Sequence, residues 1–155
     1  MAVIEPSPRR RLGAFALFLL LACSARADQA AAVLEQINHV ARALSDGNPA
    51  DAMTPFDKSL PQYETLRNYF SGLTDAYQLT NEATVTDEQD AENETKLKLQ
   101  WTMTLTEPST SLSRQRTGEI QVRLLLKNGK WKIIELSPID FFNPQQSRAR
   151  QQAEF

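Results

Sequence analysis

From Lys96 to Thr106 the chain alternates. Leu97, Leu99, Trp101, Met103 and Leu105 fall on one parity, and Lys96, Lys98, Gln100, Thr102 and Thr104 on the other. A period of two is that of a strand with one dry and one wet face, so this stretch predicts a strand over 95–106. Three more segments carry the same signature. Residues 76–86 place Tyr77, Leu79, Ala83 and Val85 on one face. Residues 118–127 do so with Ile120, Val122, Leu124 and Leu126, and 131–142 reads as a return strand. Between the last two, Asn128-Gly129 is the strongest two-residue hairpin signal in the chain. The acidic stretch 87–94 and the polar stretch 107–116 read as connectors.

Upstream the period changes to that of a helix. Val33, Ile37, Val40, Ala41 and Leu44 form an apolar stripe over 30–45, ended by Asp46-Gly47-Asn48. Asn48, Pro49 and Asp51 then suit the cap, first position and first turn of a short second helix, limited by Pro55. Ser59 and Gln62 stand at capping-box spacing before a third stripe of Tyr63, Leu66, Tyr69, Phe70 and Leu73. Three helices followed by four antiparallel strands predict an α+β fold. The dry face of such a sheet needs cover, and the helices supply it. The expectation is three N-terminal helices packed on a curved four-stranded antiparallel sheet, a cone with room for a central pocket.

The first 27 residues do not belong to that pattern. A basic segment through Arg9, Arg10 and Arg11 precedes an apolar run from Leu12 to Ala22, and Ala25-Arg26-Ala27 offers a cleavage site before Asp28. This is the layout of a secretory signal peptide over 1–27, and the run is short for a membrane span. The domain then occupies 28–142, followed by a polar tail, 143–155, expected to be disordered. Periplasmic or secreted localisation follows. Cys23, the only cysteine, ends "LLAC", which resembles a lipoprotein box; acylation there would tether the protein to a membrane. Cleavage at Ala27 would remove that thiol and leave a domain without disulfides.

Cleavage also changes the charge. The leader takes four of 17 basic residues and one of 19 acids, which leaves 13 against 18, a net charge of −5. That argues against non-specific binding to nucleic acid or to anionic membranes.

The pattern resembles the nuclear transport factor 2-like superfamily, which includes SnoaL-like proteins and ketosteroid isomerases, and would make this chain an exported bacterial member. The resemblance covers Gln29 to Phe142. It rests on "AVLEQINHVARALSDGNPADAMTPF" and on "LLLKNGKWKIIEL", where Gly129, Trp131 and Ile133 fit a Gly-x-Trp-x-Ile pattern. It implies a cone whose bent sheet and helices enclose a pocket, with dimers formed across the outer sheet face. Its enzymes place acid–base side chains on the concave face.

The chemistry in this sequence is sparse. Ideal alternation from the Asn128-Gly129 turn puts Val122 opposite Glu135 and so a carboxylate on the apolar face; the Ile133-Ile134 pair admits a bulge that would turn it outward. Asp140 sits among Ile139, Phe141 and Phe142. His39, the only histidine, borders the first helical stripe. These three are the candidate catalytic residues. Trp101, Met103, Phe70, Tyr63, Tyr69 and Tyr77 are candidate ligand-lining residues, core packing being the alternative for each. The acids of 87–94 lack the glycine of a calcium loop, and no zinc, phosphate-loop or nucleophile-elbow pattern occurs, so no metal or cofactor is implied. The same alternation puts Arg123, Leu125, Ile134 and Leu136 on the outer face, a candidate homodimer surface.

Three functions fit. One is an exported, non-catalytic binding or accessory protein with an apolar pocket for a small hydrophobic ligand. Another is a small isomerase, dehydratase or cyclase using a pocket carboxylate. The third is a structural or assembly subunit whose cone is filled by Leu97, Trp101, Met103, Phe70 and Ile37.

Overall fold

The computed structural model describes residues 13–146. The chain divides into a unit ending at Ala32 and a second from Val33 onward, and α1 (Gly13–Ser45) contributes to each. In the second unit the α1 stripe is as predicted: Val33, Ile37, Val40, Ala41 and Leu44 are buried. The helix closes by Asn48 N–H donating to Ala43 C=O and Gly47 N–H to Leu44 C=O, which satisfies the last carbonyls. Asn48 then caps α2 (Pro49–Ala52), its Oδ1 accepting from Asp51 N–H at 3.1 Å.

The third helix, α3 (Tyr63–Ala76), starts later than the capping-box reading. Ser59 does not cap it. Its backbone N–H is taken by Asp57 Oδ1 in a local turn, and Tyr63 N–H bonds Leu60 C=O. Leu66, Phe70 and Leu73 are the buried stripe of α3.

The sheet is β1 (Gln78–Asp90), β2 (Glu94–Thr106), β3 (Ser113–Lys127) and β4 (Lys130–Ser137), antiparallel and in that order. Two expected connectors are partly strand, 91–93 and 107–112 remaining as the links between strands. Residues 87–90 stay in β1 because β2 meets their acids with lysine and threonine: Asp87 faces Lys98, and Asp90 accepts from Thr95 Oγ1 at 2.9 Å. Ser113–Thr117 likewise continue β3 in unbroken register with Thr102–Thr106.

At the β3–β4 turn Asn128 and Gly129 both adopt positive φ, 51° and 76°, the geometry of a tight primed turn. Lys127 faces Lys130 and Leu124 faces Ile133, as predicted. A bulge at Ile134 then shifts the register, so Glu135 stands opposite Arg123 and Leu136 opposite Val122. The inserted residue reverses parity. Glu135 is therefore on the wet face, and Leu136, expected outside, is buried inside. Nor does β4 run on to Phe142. Pro138, which has no N–H for a ladder, follows its last residue, and Ile139–Phe142 form a 3₁₀ turn.

The β4 edge is covered at its middle, around Ile133. Ile133 N–H bonds Pro55 C=O and Ile133 C=O accepts from Asp57 N–H, a short parallel bridge through Phe56. Asp57 also ties this segment to the hairpin through Lys127 Nζ at 3.2 Å. Hydrogen bonds from Ser59, then Lys127, hold its carboxyl down at about 2. A depressed carboxyl contributes stability that is complete above its ordinary 3.8 and is lost as pH falls through about 2. Asp57→Asn is expected to cost about 1 kcal/mol at pH 7, the full linkage value being reduced because the pair touches solvent. The gap between variant and parent in urea unfolding should shrink below pH 4 and close near pH 2.

Candidate functional site

The concave face of the sheet is the natural place for a pocket, and aromatic side chains occupy it. Phe142 lies 5.3 Å from both Phe70 and Trp101, and Phe141 lies 5.1 Å from Phe142, all edge-to-face. Phe56 extends the cluster from Phe70 at 5.9 Å. Trp101, Phe70, Phe142 and Met103 are at most 1% exposed. The one polar handle among them is satisfied: Trp101 Nε1–H donates to Asn81 Oδ1 at 3.0 Å, and Asn81 N–H donates to Ser45 Oγ. Asn81 shares the parity of Leu79 and Ala83, so this polar interruption of the β1 stripe was visible in the sequence.

The Ile139–Phe142 turn that inserts Phe142 is clamped by Arg116. Its guanidinium donates to Phe141 C=O and, at 3.2 Å, to Asn143 C=O, and it lies 5.9 Å from the Phe141 ring centre. Gly118 makes room for that ring, since a Cβ there would come within 3.0 Å of it. Pro144 packs just as closely on Gly72 of α3, so 143–146 stay against the domain. The remainder of the expected tail, 147–155, and the first 12 residues of the expected leader lie outside the described residues, as does the Cys23 side chain.

The remaining candidates lie around the periphery. Tyr63, Tyr69 and Tyr77 are half-buried. Tyr69 O–H points to Asp140 Oδ1 at 3.4 Å, and Asp140 is exposed on the 3₁₀ turn. Glu135 is exposed and pairs with Arg123 at 2.9 Å, which also meets Glu94 at 2.8 Å. His39 Nε2 lies 3.2 Å from Asp51 Oδ1 and 3.3 Å from Thr54 Oγ1, a polar cluster with a third of the imidazole exposed. The fold thus brings none of Glu135, Asp140 and His39 together.

A groove of about 290 Å³ lies on the outer sheet face, lined by Lys96, Lys98, Gln121, Arg123, Glu135 and Ser137. Leu125 and Ile134 on this sheet are half-buried. Burial and the neighbouring Asp90 push the Glu88 carboxyl upward. Among the described residues no group of three His, Cys, Asp or Glu side chains could hold a metal, and no helix is long and apolar enough to cross a membrane.

No protein-family model matches this sequence, and no curated protein does. Solved structures do resemble it. A candidate scytalone dehydratase from Novosphingobium aromaticivorans superposes with a TM-score of 0.65 at 10% identity, over 74% of this chain and 85% of that one. A nuclear transport factor 2-like superfamily protein from Salmonella enterica gives 0.59 at 12%, over 73% and 89%. A candidate calcium/calmodulin-dependent protein kinase II association domain from Xanthomonas campestris gives 0.55 at 19%, over 67% and 81%. At these identities the likeness speaks for architecture, and with the helix order, sheet order and curved antiparallel sheet it establishes that this chain has the nuclear transport factor 2-like fold.

Proposed function

We propose that this chain is an exported, non-catalytic accessory or assembly protein that acts through its surface and pairs with a second copy across the outer sheet face. The observation that carries this reading is the filled cone: Trp101, Phe70 and Phe142 occupy with their rings the volume a hydrophobic ligand would need. A site for acid–base chemistry needs its groups converging on an enclosed substrate, whereas His39, Asp140 and Glu135 are dispersed over the rim and outer face. The leader-like N-terminus supports export, and the likeness to an association domain is in keeping with assembly.

The pairing surface is centred on Arg123, Leu125 and Ile134. Arg123 is held flat between Glu94 and Glu135, and the two half-buried aliphatics supply the apolar contact. Light scattering on the purified protein is expected to give the mass of a dimer. Leu125→Asp, which leaves the β2–β3 ladder intact, is expected to give a folded monomer. A monomeric parent, or an unchanged dimer in the variant, would overturn the pairing.

A further inference from the structure

The two edges of the sheet are treated differently. The β4 edge is occupied by Pro55–Asp57, which satisfies both backbone groups of Ile133. The β1 edge is open: among the described residues, the bond from Asn81 N–H to Ser45 Oγ is what covers it. Beyond Asn81 the strand continues to Asp90 with one bulge at Thr86, where the register against β2 slips by a residue, so an added strand must bend with it; on either side of that bulge the edge is a template for another strand.

This edge carries a definite charge. Glu82, Asp87, Glu88 and Asp90 lie along β1, and the strand contains no lysine or arginine. Both of its faces are acidic, Glu82 and Asp87 on the wet face and Glu88 and Asp90 on the face shared with Leu97 and Thr95. Between them Ala83 and Val85 are half-buried, an apolar step on the concave side. A second copy of β1 would set acid against acid, which disfavours self-pairing. An extended segment with alternating basic and apolar residues suits this edge. Its backbone continues the ladder, its apolar side chains cover Ala83 and Val85, its basic ones lie on the wet face beside Glu82 and Asp87, and its net positive charge offsets the acids beyond them.

We propose that the β1 edge, from Ala83 to Asp90, binds an extended cationic segment of a partner protein as a fifth strand. Asp87 also lines the outer-face groove beside Arg123 and Glu135, so this surface adjoins the proposed pairing face, but the added strand engages the backbone of the β1 edge, which that pairing does not use.

The test is titration of the ¹⁵N-labelled protein with an acetylated, amidated peptide of three Lys-Val repeats at low salt, followed by amide shifts. Its Glu-Val counterpart is the control. Two variants isolate the edge. Asn81 N–H points away from β2, and Ala83, two residues on, points the same way, so Ala83→Pro removes an edge donor without breaking the β1–β2 ladder. Glu82→Lys with Asp87→Lys reverses the charge on the wet face, cancels the net charge of the strand without touching the backbone, and decides the question should the proline variant not fold. We expect saturable binding with Kd below about 1 mM, shifts concentrated in 79–90, and a loss of about tenfold or more in each variant. Absence of binding by the parent would overturn the proposal. So would equal binding by the double-lysine variant, equal binding of the Glu-Val peptide, or shifts centred elsewhere. Concentration-dependent shifts at β1 without peptide would identify the occupant as a second copy, which also overturns it.

Discussion

Trp101→Ala is expected to destabilise the protein by about 4 kcal/mol, the range for a fully buried large aromatic removed from a packed core. For a domain of this size that lowers the melting temperature by roughly 15 °C. Trp101 is 1% exposed, packs edge-on against Phe142 and donates its indole N–H to Asn81. Truncation therefore opens a void and orphans a carbonyl that already receives its bond in the parent. The outcome discriminates between the readings of the fold. A tryptophan lining an empty pocket already faces a void on one side, and its loss would cost far less. Differential scanning calorimetry of the parent and variant provides the comparison, and indole added to the variant should restore part of the loss by occupying the void.

Arg116→Met is expected to cost about 2–3 kcal/mol. Methionine keeps much of the volume, so the loss reports hydrogen bonds more than packing. Without the guanidinium, Phe141 C=O and Asn143 C=O lose their donor, and the Phe141 ring loses the cation beside it. Because this turn carries Phe142 into the aromatic cluster, the effect should spread. Amide exchange is expected to speed up at 139–143 and, more weakly, at Phe70 of α3. Arg116→Lys retains the charge without the planar fork and should recover less than half of the stability. A variant as stable as the parent would show that the turn is held by ring packing alone.

Much of this architecture was legible in the sequence because local chemistry and tertiary demand agree there. The α1 stripe, the Asn48 cap, the alternating β2 and the Asn128-Gly129 turn each have one cheap solution, and the chain adopts it. The departures occur where long-range pairing decides. The acids of 87–90 read as a connector until Lys98 and Thr95 are set opposite them. The position of Glu135 depended on one extra residue at Ile134, and a bulge leaves only a doubled aliphatic as its mark. Whether the cone is hollow could not be read from any stripe, since the side chains that fill it come from β2, α3 and a 3₁₀ turn far apart along the chain. Arg116 lies in the polar stretch 107–116, whose composition reads as loop, and its one signal is that it falls on the same parity as Gly118 and Ile120.

Trp101, Phe70 and Phe142 pack the space between helices and sheet, and the surface role proposed above follows only if that packing holds in solution. Native mass spectrometry of the protein, purified gently from its producing cell and compared with its denatured mass, addresses this most directly. A packed interior gives a native mass equal to a whole number of bare polypeptides, with nothing retained inside the cone. A native mass exceeding that by a constant few hundred daltons, released on denaturation, would mean that the cone opens to hold a small molecule, and would contradict it.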